Sequence, residues 1–98
     1  MRVVFVERTG GPQRLVCEAE IVFESEAGPL AGMRLLGFSL WRSADGEVFV
    51  TVPARPYEAG GERRFFDLLR PVEGQAANAK RTKAWILEQY RSAAAAVA

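Results

Sequence analysis

Seven cations in the second half of the chain, Arg55, Arg63, Arg64, Arg70, Lys80, Arg81 and Lys83, are the residues whose type and clustering point most directly to a chemistry. Guanidinium and ammonium groups converging on one surface can neutralise phosphates and release counterions from a nucleic acid. Aromatic rings among them can stack on bases where the strand is single. Tyr57, Phe65 and Trp41 are rings that could serve. The plainer account is that these are solubilising charges, two or three of them paired with Glu58, Glu62 and Asp67. Lys80 and Arg81 stand side by side near the start of a helix-forming run. There the helix dipole disfavours cations by a few tenths of a kcal/mol, a small cost that hints at a role.

Other chemistries lack their residues. The absence of histidine removes Ser-His, Cys-His and His-metal sites together. Cys17 is the single cysteine, so it closes no intrachain disulfide, and its place in an alternating run reads as core. Few cations stand near it to stabilise a thiolate. Asp67 beside Arg64 or Arg70 reads as half of an ion pair, since no nucleophile or second carboxylate lies at a telling spacing. Gly10-Gly11-Pro12 and Gly60-Gly61 read as turns, outside the strand, Gly-rich loop and helix context of a phosphate cradle. The expectation is a non-enzymatic protein with no cofactor and no metal site.

The elements that must position the cations follow from patterning. The chain of 98 residues, 49% of them hydrophobic, suits one compact domain, 1–98, with strands mainly in 1–72. Thirteen Lys and Arg against twelve Asp and Glu give a net charge of +1, which excludes binding by a large global positive field. The charge is unevenly placed. Residues 1–53 hold five Arg and seven acids, net −2, whereas 54–98 hold eight Lys and Arg and five acids, net +3. A basic face is therefore available without a basic protein. No run of about 18 apolar residues exists to span a bilayer, and the N-terminus turns polar at Glu7, too soon for a signal peptide. A cytoplasmic location is expected.

Leu15, Cys17, Ala19, Ile21 and Phe23 alternate with Val16, Glu18, Glu20, Val22 and Glu24, which predicts a strand over 13–25 hairpinned to residues 2–8. Leu36, Phe38 and Leu40 form one face of the next strand, and Val48, Val50 and Val52 one face of its partner. A three-residue loop, Ala44-Asp45-Gly46 with Gly46 left-handed, pairs Leu40 with Val50 and Phe38 with Val52. It leaves Trp41 opposite Phe49 and Ser39 opposite Thr51. Residues 54–62 read as a loop bearing Pro and Gly, and Arg63 to Leu69 as a further strand. The helix is expected over 75–93, running into an Ala-rich tail, with Ala79, Thr82, Ile86, Tyr90 and Ala93 facing the sheet. Trp85 falls on the far side, with Arg81 and Glu88. The fold class is α+β, an antiparallel sheet of four to five strands with one C-terminal helix.

Three segments share a further property. Gly46-Glu47-Val48-Phe49-Val50-Thr51-Val52-Pro53-Ala54-Arg55 resembles the Gly-x-Phe-Val strand, ending in Met-Pro-Ser and a basic residue, of the stage V sporulation protein G family, the bacterial septation regulators. Arg64-Phe65-Phe66-Asp67-Leu68-Leu69-Arg70-Pro71-Val72 resembles that family's aromatic, Asp-Ile-x-His-Pro-Ile segment. Ile86-Leu87-Glu88-Gln89-Tyr90 falls where the family helix ends in Val-Leu-x-x-Tyr. Val52 stands for the family's methionine, Ala54 for its serine and Arg70 for its histidine. The resemblance implies an antiparallel sheet followed by a helix, a dimer, and binding of DNA and RNA with little enzymatic chemistry.

Trp85 and the Trp41/Phe49 pair suggest a dimer interface, because large apolar side chains outside a core mark contacts between chains. Packing within the chain and stacking on a ligand are the alternatives for Trp85. The expectation for the whole is a regulatory protein similar to the septation regulators. It binds DNA or RNA modestly and salt-sensitively through the seven cations, as a homodimer and away from membranes. The alternative is a small dimeric interaction or structural domain that binds no nucleic acid.

Overall fold

A computed structural model describes the backbone of residues 1–97 and the side chains of residues 1–94. Strands β1 (Arg2–Val6), β2 (Leu15–Val22), β3 (Arg34–Arg42) and β4 (Val48–Thr51) form an antiparallel sheet in the order β1-β2-β3-β4. A separate two-stranded ribbon joins β5 (Ala54–Ala59) to β6 (Glu62–Asp67), and helix α1 (Ala77–Val97) follows. The architecture is α+β, as expected.

The β3–β4 hairpin takes the expected register, with Leu40 opposite Val50, Trp41 opposite Phe49 and Ser39 opposite Thr51. Gly46, at φ 90°, closes the loop, and the Ser43 N–H donates to Glu47 O at 2.8 Å. Phe38, Leu40, Val50 and Val52 thereby join Cys17, Ala19 and Ile21 on the inner face, under Ile86 of α1. Burial there pushes the Cys17 thiol up, and Glu7 adds to the shift. On the outer face Glu18 and Glu20 pair with Arg8 and Arg34 at 2.8 and 3.1 Å.

Strict alternation fails at two bulges. Ala19 faces Phe38 but Ile21 faces Leu35, so β3 carries one residue more than β2 across this step. Gly37, at φ 101°, supplies the conformation, and parity inverts beyond it. Leu35 packs on the core. Leu36, expected there, is 54% exposed. A second shift, between Leu15 and Cys17, sets Leu15 opposite Trp41 while Val16 packs on the core.

Residues 54–62 are a strand and a tight turn and not the expected loop. Gly60 and Gly61, at φ 61° and 79°, supply the two positive angles that a two-residue hairpin favours. The register then runs from Ala59 opposite Glu62 to Ala54 opposite Asp67. Pro56 is compatible because each strand of a two-stranded ribbon has one unpaired edge, where a missing N–H costs no ladder bond. The return strand ends at Asp67, short of the expected Leu69. The Leu68 N–H donates to Pro53 O at 2.8 Å and ties the ribbon's base to the end of β4.

Helix α1 has 21 residues, about 30 Å at 1.5 Å each, whereas four strands span only about 14 Å. It touches the two edge strands, β4 and β1, and overhangs the sheet. Ile86 is fully buried, and Tyr90 meets Phe5 edge-on with ring centres 5.5 Å apart. Ala79 and Ala93, expected in the buried stripe, are exposed. Trp85, expected on the far side, is half-buried and packs against the core beside Ile86. Among the described residues, no helix is long and apolar enough to cross a membrane.

Candidate nucleic-acid interface

Alternation sorts the ribbon's side chains into two faces. The register puts Arg55, Tyr57 and Ala59 of β5 on one face with Glu62, Arg64 and Phe66 of β6. Ala54, Pro56 and Glu58 share the other with Arg63, Phe65 and Asp67. The neighbours Arg63 and Arg64 are therefore separated. The first face carries two cations and one anion, the second one cation and two anions. Only the first is electropositive.

Arg70 reinforces that face from beyond the strand. Its guanidinium lies 4.5 Å from the centre of the Phe66 ring. Arg55, Tyr57 and Phe66 line a shallow cleft of about 210 Å³, and all three are exposed. Arg64 pairs with Glu62 at 3.5 Å across exposed groups, the one pairing of the expected set that forms among the described residues. Such a surface pair is worth about 0–1 kcal/mol, so it leaves Arg64 exchangeable. On the opposite face Arg63 stands 5.7 Å from the centre of the Phe65 ring.

Arg70 also borders a larger groove of about 470 Å³ at the helix start, with Asp67, Pro71, Val72, Thr82 and Lys83. Lys83 is half-buried in its wall. The structure thus brings together Arg55 and Arg64 on the ribbon, adds Arg70 from the segment after β6, and continues through Arg70 to Lys83. Lys80 is exposed one turn before Lys83 and borders neither recess. Arg81 donates to Asn78 Oδ1 at 3.4 Å and borders a separate shallow recess with Trp85. Arg63 belongs to the other face.

The expected dimer residues divide in the same way. Trp41 and Phe49 lie on the outer face of the sheet, away from the helix. The Trp41 indole N–H donates to Thr51 Oγ1 at 2.9 Å. A groove of about 470 Å³ runs between this face and the ribbon, lined by Gly37, Trp41, Phe49, Thr51, Ala54 and Phe65. Trp85 packs on the inner side, so it is not continuous with that patch.

Phe66 is the ring of this face that patterning does not single out; Tyr57, Phe65 and Trp41 are the rings the sequence points to. The signal was Gly60-Gly61 between two runs of strand-forming residues, which fixes a two-residue hairpin and with it the partner of every ribbon residue. No group of three or more metal-ligating side chains occurs among the described residues. In comparisons with known proteins the chain matches no family model, no curated protein and no solved structure.

Proposed function

We propose that the chain is a non-enzymatic nucleic-acid-binding regulatory protein similar to the septation regulators. It holds phosphates of DNA or RNA with Arg55, Arg64 and Arg70, and Lys83 extends the contact. The observation that carries this is the sorting of the ribbon, which gathers Arg55 and Arg64 with two exposed rings and adds Arg70 over one of them. A net charge of +1 limits the attraction to this face, so binding is modest and weakens as salt rises. A cytoplasmic site of action goes with the proposal.

The test is fluorescence anisotropy of labelled DNA and RNA oligonucleotides across a salt series. Each phosphate-binding cation contributes about 0.7 to 0.9 to the slope of log affinity against log salt. Arg55→Ala and Arg64→Ala should each lower the slope by about that much. Undetectable binding at low salt would remove the proposal.

The groove between the outer sheet face and the ribbon supports a partner of another kind. Phe65 is 64% exposed on an otherwise small domain and faces Trp41 and Phe49 across that groove. Apolar area of this kind is more readily covered than left in water, and a second copy of the chain is the occupant we propose. The homodimer and the nucleic-acid face use opposite sides of the ribbon and are compatible.

A further inference from the structure

Resting on the nucleic-acid reading above, we propose that the ribbon takes single-stranded nucleic acid. Successive bases lie on Tyr57 and Phe66, and their phosphates are held by Arg55, Arg64 and Arg70. The four ribbon residues form two rungs, Arg55 opposite Phe66 and Tyr57 opposite Arg64. The rings occupy one diagonal and the guanidinium groups the other. Each ring therefore has one cation beside it along its strand or across the pair, and a second on the remaining side.

The spacing selects an unpaired strand. Diagonal neighbours across an antiparallel pair lie about 7–8 Å apart. That is roughly twice the 3.4 Å rise between successive bases of one strand in a duplex. A duplex keeps its bases stacked and paired, and offers no two separated base faces at that distance. Single strands can splay their bases onto aromatic and guanidinium planes.

Exposure and charge agree. Tyr57 is 43% and Phe66 47% exposed on the electropositive face, around the cleft that Arg55 shares with them. Against a duplex backbone these rings would meet charged phosphates and gain nothing from their apolar surface. Against a single strand each presents a stacking surface. Arg70, already 4.5 Å from the Phe66 ring centre, extends the platform toward Lys83. The opposite face is a poor rival, because Phe65 there stands among Glu58, Asp67 and a lone Arg63.

The test uses the full chain with two labelled probes, an oligothymidylate of about 12 nucleotides and a mixed-sequence duplex of the same length. The parent chain should bind the oligothymidylate more tightly than the duplex. Tyr57→Ala and Phe66→Ala should each weaken oligothymidylate binding roughly 5- to 150-fold with the salt slope unchanged, because stacking releases no counterions. Tyr57→Phe keeps the ring and should keep the affinity. Duplex binding as tight as oligothymidylate binding, or aromatic variants that bind like the parent, would overturn the single-strand inference and leave the phosphate reading standing. Failure of the parent to bind either probe would overturn both.

Discussion

The Arg70 guanidinium lies 4.5 Å from the centre of the Phe66 ring and also borders the groove that holds Lys83. One side chain thus links the ribbon to the start of α1. A cation over an exposed ring contributes only about 0.5–1 kcal/mol, so the contact orients Arg70 more than it stabilises the fold. The candidate site is an exposed surface of β5, β6 and the segment after them. Its residues can be changed with little effect on the core.

The groove between the outer sheet face and the ribbon gives the first prediction. If a second copy covers it, light scattering returns twice the chain mass of 10.8 kDa, and Phe65→Glu moves the mass toward that of a single chain. Trp85→Ala should leave the oligomer intact, because Trp85 packs on its own core. A parent chain of single mass removes the dimer reading.

Gly37 gives the second. Its φ of 101° is one that side chains rarely adopt, and a Cβ there would sit 3.0 Å from Pro53 Cβ. Gly37→Ala should destabilise the chain by about 1–3 kcal/mol in urea unfolding. Gly46→Ala, at φ 90° with open space around it, should cost less. Equal losses would mean that the close approach to Pro53 is unimportant.

Ile86 tests how α1 is held. It is the only helix residue among the buried core cluster of the described residues. Ile86→Ala should cost about 2–5 kcal/mol, read from the shift of the unfolding midpoint. A loss below about 1 kcal/mol would show that the helix is secured mainly elsewhere.

The Asp45 carboxylate accepts hydrogen bonds from the Ser43 hydroxyl and, at 3.1 Å, from the Glu47 N–H, which hold its carboxyl below the ordinary value. A pKa lower in the folded than in the unfolded chain stabilises above the unfolded value and loses that stabilisation as pH falls through the folded one. Asp45→Ala should therefore be less stable than the parent at neutral pH, and the gap should close on acidification below the ordinary carboxylate range. A gap independent of pH would contradict the role assigned to the turn.

The β3–β4 register was readable because two constraints coincide there: one loop length alone sets Leu40 and Val50 on a common face, and Gly46 supplies its left-handed residue. Leu36 falls on the other face because a bulge inverts parity at Gly37, a residue type that marks bulges within strands and that plain alternation does not take into account. The sequence marks the end of β4 with Pro53, but Pro56 then suggests a loop where a two-stranded ribbon can tolerate it. That single misreading hid the site: alternation within 63–69 already separates Arg63 from Arg64, but without a strand over 54–59 nothing joins Phe66 to Arg55 or Arg64 to Tyr57. Ala79 and Ala93 share the wheel's apolar stripe yet are exposed, because a wheel carries no information on a sheet narrower than the helix is long.

The most direct test sets Arg64 against Arg63, adjacent in sequence and on opposite faces of the ribbon. The salt dependence of oligonucleotide binding is measured for the parent, Arg64→Ala and Arg63→Ala. The slope should fall by about 0.7 for Arg64→Ala and stay at the parent value for Arg63→Ala. Equal changes in the two variants, or a larger one at Arg63, would contradict the assignment of nucleic acid to the Arg55, Arg64 and Arg70 face.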